Sequence, residues 1–185
     1  MNRIKIYIIA GAIAIFAGAG HADQGDDGRA LSNSYPIQIY MAACVVGLGE
    51  EKVVASQAKV MGFKEAPGEK SEQYLRGNEG KAWYAKNEHG EFGIASLKNG
   101  SCSIFIHQGN PETLQASMES WLPPENTRFS YTKELVSNSG HLTTTAYKIF
   151  RGDSLMEKWS IMVSSEPGSK LVAIMSYETP QISDK

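Results

Sequence analysis

Residues 92–107 read FGIASLKNGSCSIFIH, two alternating runs hinged on Asn99-Gly100. Alternation at period two marks half-buried strands, and Asn-Gly between two such runs is the strongest short-range hairpin signal. A two-residue turn there predicts a register in which Leu97 faces Cys102, Ala95 faces Ile104 and Gly93 faces Ile106 on one side. Ser96/Ser103, Ile94/Phe105 and Phe92/His107 then occupy the other. Both faces carry large apolar residues in this register. The face holding Phe92, Ile94, Phe105 and His107 is either covered by a second layer or left open as an apolar patch for a partner.

Working outward from the hairpin, Asn110-Pro111-Glu112 is a helix start, with Asn as cap and Pro at the first helical position. Leu114, Met118, Trp121 and Leu122 form its buried stripe, and Pro123-Pro124 stops it. Four strand-like runs follow at 129–137, 142–150, 157–165 and 170–178. In the third, Trp159, Ile161 and Val163 alternate with polar residues. Upstream of the hairpin, 82–87 is another strand, and 64–80 has Gly, Pro and charge without period, so it reads as a long surface loop. Val54, Ala58 and Met61 line a helix that begins at Glu50-Glu51 and ends in a Gly62-Phe63 cap. Ser34-Tyr35-Pro36 opens an earlier helix of 36–48, with Ile37, Met41, Cys44 and Leu48 as its stripe. Short connections favour antiparallel neighbours. The expected fold is α+β, an antiparallel sheet of about seven strands with about three helices packed on one side, in a single domain over 34–180.

Residues 1–22, MNRIKIYIIAGAIAIFAGAGHA, read as a cleaved export signal. Arg3 and Lys5 supply the positive end, 6–20 is an uncharged apolar stretch, and Gly20 and Ala22 are the small residues before the cut. Residues 23–33 form a polar, Gly-rich leader. The whole chain has 18 basic and 20 acidic residues, and losing Arg3 and Lys5 leaves 16 against 20, a net −4. That mild excess argues against nucleic acid as a partner and against electrostatic binding to an anionic membrane. After cleavage no stable membrane anchor is expected, and the address is the periplasm.

Cys44 and Cys102 are the two cysteines. In an oxidising compartment a lone pair closes into one disulfide. Two buried free thiols or an intermolecular bond are the alternatives at this point. No C-x-x-C spacing tunes a thiolate. Among the histidines, His89 and His141 fall in turns, and His107 ends a strand. No H-x-x-x-H, H-E-x-x-H, G-x-S-x-G or phosphate-loop motif occurs, so no metal, cofactor or catalytic residue is assigned. The S-x-x-K tetrads at Ser56–Lys59 and Ser130–Lys133 lack the K-T-G strand that would give them meaning. Glu112, Glu119, Glu134 and Glu157 could pair for glycoside hydrolysis only through a tertiary arrangement.

The run Lys81-Ala82-Trp83, followed by an Asn-containing turn and Asn99-Gly100-Ser101-Cys102-Ser103-Ile104-Phe105, with Cys44 on an upstream helix, resembles a family of small, exported, uncharacterised proteins of Gram-negative bacteria. The resemblance spans roughly 40–110. It implies a cleaved signal, a helix–strand disulfide and a periplasmic address, and it supplies no activity. Together these features lead to a non-catalytic periplasmic binding protein, in its most specific form an immunity protein neutralising an envelope-targeted toxin. An envelope-polymer hydrolase and an accessory subunit of a secretion or conjugation apparatus are the alternatives. The partner expected is another protein, a basic one suiting the net acidity, held by Phe92, Ile94, Phe105 and His107, with the 64–80 loop at the rim.

Overall fold

The computed structural model describes residues 34–180; the signal segment 1–22 and the leader 23–33 lie outside them. Ser34 precedes helix α1 (Tyr35–Ile39), which continues into a π-helical turn (Tyr40–Val45). Helix α2 (Glu51–Val60), strand β1 (Lys64–Glu65) and helix α3 (Gly68–Leu75) come next. Then follow β2 (Gly80–Asn87), β3 (Gly90–Leu97), β4 (Cys102–Ile106) and helix α4 (Pro111–Glu119). The chain finishes with β5 (Phe129–Ser139), β6 (Leu142–Arg151), β7 (Ser154–Ser164) and β8 (Ala173–Glu178). All eight strands join one antiparallel sheet in the order β1-β2-β3-β4-β8-β7-β6-β5. The class is α+β, as expected. The eighth strand and fourth helix both come from 64–80, which is therefore no structureless loop.

The hairpin turn forms, but with one more residue than expected. Leu97 N–H donates to Ser101 O at 2.8 Å and Gly100 N–H donates to Leu97 O at 3.0 Å, closing a three-residue loop over Lys98, Asn99 and Gly100. Gly100 takes a left-handed φ of +85°, and the Asn99 side chain accepts from Ser101 N–H at 3.0 Å. A turn followed by a left-handed glycine is the usual three-residue solution. Ser96 now pairs with Cys102, Ile94 with Ile104 and Phe92 with Ile106, while Gly93 pairs with Phe105. The slip of one residue turns every side chain of β3 to the opposite face. Phe92 and Ile94 thereby join Cys102, Ile104 and Ile106 under the helices, all fully buried. Each such burial is worth about 1.5–3 kcal/mol, and this register collects them on one face.

Helices α1, α2 and α4 cover that face. Their buried residues merge with Tyr147, Ile149, Trp159, Ile161, Met175 and Tyr177 of the sheet into the main core. The stripe of the first helix differs from the 3.6-period reading. Val46 N–H reaches back to Met41 O and Gly49 N–H to Cys44 O, five residues each. This wider turn rotates the stripe, burying Ile37, Ile39, Tyr40, Ala43 and Cys44, and leaving Leu48 exposed. Cys44 and Cys102 are bonded, with Cα atoms 5.3 Å apart. Gly62 has φ +81°, Gly62 N–H donates to Lys59 O, and Phe63 N–H donates to Ala58 O. Those bonds make the expected glycine cap, with Phe63 buried.

Helix α3 packs on the other face. Tyr74 and Leu75 contact a second cluster with Ala82, Ala95, Phe105 and Ile174. A Cβ on Gly93 would lie 2.3 Å from the Tyr74 ring, so the absence of a side chain there lets α3 approach. Asn110 caps α4 as expected, its side chain accepting from Thr113 N–H at 2.9 Å. Leu114, Met118 and Leu122 are buried, but Trp121 is 44% exposed. The helix ends at Glu119, and the tighter turns from Trp121 N–H to Met118 O and Leu122 N–H to Glu119 O swing Leu122 inward and Trp121 out.

Candidate functional site

The hairpin patch expected from the sequence does not exist as an open surface. Phe92 and Ile94 are buried beneath the helix layer, and Phe105 is enclosed on the opposite face by Tyr74, whose ring centroid lies 4.9 Å away. His107 is half-buried; its Nδ1 is hydrogen-bonded to the Lys170 carbonyl, and its Nε2 is buried without a partner. These four residues divide between two faces because β3 is slipped by one. None of the three apolar ones presents area to a partner.

Open apolar area gathers instead along β5. It is the outermost strand on its side of the sheet, and every residue from Ser130 to Ser139 is exposed. Tyr131 is 43%, Leu135 61% and Val136 56% exposed. Register assigns the faces. Tyr131, Lys133 and Leu135 stand opposite Ile149, Tyr147 and Thr145, on the helix side; Ser130, Thr132 and Glu134 stand opposite Phe150, Lys148 and Ala146, on the other. The ladder is regular from Phe129 to Leu135, and the register then shifts across Val136. Such a bulge twists the strand and ends regular pairing.

The two edges of the sheet are unlike. At the far side β1 has only two residues, Lys64 and Glu65, which pair with Tyr84 and Trp83. A short charged strand is a common guard against unwanted pairing. Strand β5 offers eleven residues, and an unpaired edge is a row of free N–H and C=O groups. Its charges are held by its own chain. Lys133 donates to Glu119 at 2.8 Å, and Glu134 accepts from Lys148 at 2.9 Å. Tyr147 and Gln115 also donate to Glu119. Burial alone would raise the Glu119 carboxyl, but the bonds from Lys133, Tyr147 and Gln115 outweigh it and hold it below the ordinary range. Tyr147 is pushed well above its usual value by burial and by that carboxylate.

Beside the start of β5 the loop 123–128 opens a cleft of about 590 Å³ lined by Pro123, Pro124, Phe129 and Tyr131 among others. Thr127 Oγ donates to Pro124 O at 3.1 Å, and Asn126 takes a left-handed φ of +67°. Arg128 lies over the Phe129 ring at 5.2 Å. Of the four carboxylates considered for hydrolysis, three are tied to separate partners. Glu119 faces Lys133 and Tyr147, Glu134 faces Lys148, and Glu157 accepts from Trp159 Nε1 at 2.8 Å. Among the described residues no group of three metal-ligating side chains comes together, and no helix is long and apolar enough to cross a membrane.

Comparison with known proteins yields no likeness. No family model, no curated protein and no solved structure matches the chain. The site therefore stands on geometry. Its sequence signal was present in 129–137: Lys133 and Glu134 are adjacent charges, so each face of the strand carries one, and neither phase reads as a core face. That is the pattern of an edge strand.

Proposed function

We propose that the protein is an exported, non-catalytic binding protein that engages another protein through the β5 edge and the apolar residues around it. The observation that carries this reading is a long unpaired edge flanked by exposed Tyr131 and Leu135. A partner segment adding to that edge would gain backbone hydrogen bonds for affinity, while Tyr131 and Leu135 supply contacts to alternate side chains. Tyr is favoured at such anchors because it brings large area at small entropy cost. The buried Cys44–Cys102 bond fits an oxidising address such as the periplasm. In its most specific form the reading is an immunity or inhibitor protein that occupies an envelope-targeted toxin, a basic one suiting the acidic balance of this chain. The test is affinity capture from the native envelope with the wild type and with a Tyr131→Ser/Leu135→Ser double variant. The wild type is expected to retain a partner that the variant loses, at an unchanged thermal midpoint. Equal retention by both removes β5 as the site.

A further inference from the structure

We propose that the β5 edge is also the seat of a second copy of this chain, giving a two-fold dimer with one sheet continuous across both copies. This goes beyond the binding reading: the edge takes one added strand at a time, so a partner segment at β5 would displace the second copy. Lys133 and Glu134 would ordinarily repel a strand at this edge, but both are tied back to their own chain, at 2.8 Å to Glu119 and 2.9 Å to Lys148. The edge is thus left without an uncompensated charge.

The register follows from the bulge. Regular pairing runs only from Phe129 to Leu135, so the usable stretch has Thr132 at its centre. Antiparallel association of identical strands about a two-fold axis normal to the sheet pairs residues of the same face, self-complementarily. The register with complete overlap sets Thr132 against Thr132 of the second copy, Tyr131 against Lys133, Ser130 against Glu134 and Phe129 against Leu135. Each non-identical pair occurs twice, and all are favourable: a cation beside an aromatic ring, a hydroxyl beside a carboxylate, two apolar side chains, and a central β-branched pair. Moving the axis to the next residue of the strand opposes Lys133 with itself, and one further opposes Glu134 with itself. Moving it the other way, to Tyr131, shortens the overlap. Only the Thr132-centred register combines full length with no like-charge pair. It leaves both helix layers on one side, so the Tyr131 and Leu135 surfaces of the two copies become a single platform. The short charged β1 edge offers no comparable run.

Sedimentation velocity of the purified, oxidised protein tests this, with cysteine cross-linking to read the register. The described cysteines are all bonded, so an added thiol reacts alone. A reversible, concentration-dependent dimer is expected, with Thr132→Cys cross-linking readily and Val136→Cys little. Ser130→Glu, which sets one carboxylate against Glu134 in each of the two symmetry-related pairs, is expected to weaken the dimer by about tenfold, and Ser130→Lys to strengthen it. Residue 130 is exposed, so an unchanged thermal midpoint shows that folding is not the cause. A protein that stays monomeric up to millimolar concentration overturns the proposal. So does a dimer that ignores both Ser130 variants or cross-links equally at 132 and 136. Capture of a partner by a strictly monomeric protein would leave the binding reading standing while the dimer falls.

Discussion

A methyl group on Gly49 would meet the Gly100 carbonyl oxygen at 1.9 Å, and the backbone there has a φ of +70°. The α1–α2 connection is pressed onto the hairpin turn at this point, and Ser96 Oγ donates to Gly49 O at 3.1 Å inside the same contact. Gly49→Ala is expected to cost at least about 2 kcal/mol, from overpacking plus a left-handed Cβ. Gly62 has a similar φ, +81°, but open space around its Cα. Gly62→Ala should therefore cost only the conformational part, about 1 kcal/mol. Urea midpoints compare the two directly, and equal losses would mean that the Gly49 contact carries no weight. Next to this contact, the Cys44–Cys102 bond joins the π-helical turn to β4 across 58 residues of sequence. Its removal in a Cys44→Ala/Cys102→Ala variant should lower stability by about 4 kcal/mol on the loop-entropy relation.

At the scale of elements, two tryptophans separate a strand that was legible from a helix end that was not. Trp159 is buried and bonded to Glu157, so Trp159→Ala should cost about 3–5 kcal/mol through the cavity it leaves. Trp121, turned outward past the end of α4, should cost under about 1 kcal/mol on the same change. Similar losses at both positions would contradict the exposure difference. Helix α4 is tied to β5 and β6 by Glu119, whose carboxyl is held below the ordinary range. A depressed folded-state pKa gives stability that is complete above the unfolded value and lost as pH falls through the folded one. Glu119→Gln should accordingly flatten the acid limb of a stability–pH profile and leave its neutral shape unchanged. A variant that keeps the full acid limb would place the titration elsewhere.

For the molecule as a whole, the governing asymmetry is between a short, charged edge at β1 and a long one at β5. In an edge strand alternate amides face away from the neighbouring strand, and these should exchange rapidly with solvent in dilute protein. Pairing with a second strand should slow the outward-facing amides of 129–135 as concentration rises, leaving those of 136–139 fast. Hydrogen exchange resolved by residue reads both stretches at once. Uniform protection at all concentrations would show that the edge is already covered.

Much of this architecture was written locally. The Asn110-Pro111 helix start, the Gly62-Phe63 cap, the four strands of the second half and the α+β class all rest on signals spread over a few residues, and each acts within its own element. Helix α3 was not legible because its eight residues bury only the adjacent Tyr74 and Leu75, which set no repeat, and Tyr74 is held by the Phe105 ring on the sheet beneath it. The hairpin register could not be read either. Asn99-Gly100 fits a two-residue or a three-residue loop, and the choice fell to whichever register placed Phe92 and Ile94 beside Cys102 and Ile104 under a helix layer. That choice closed the hairpin face, and the open apolar surface lies on β5. Sequence by itself determined most of the segments that become helix or strand, 64–80 apart, since capping and alternation are local. Tertiary structure alone decided which face is buried and which edge stays free, since those depend on what packs against the strand from far along the chain.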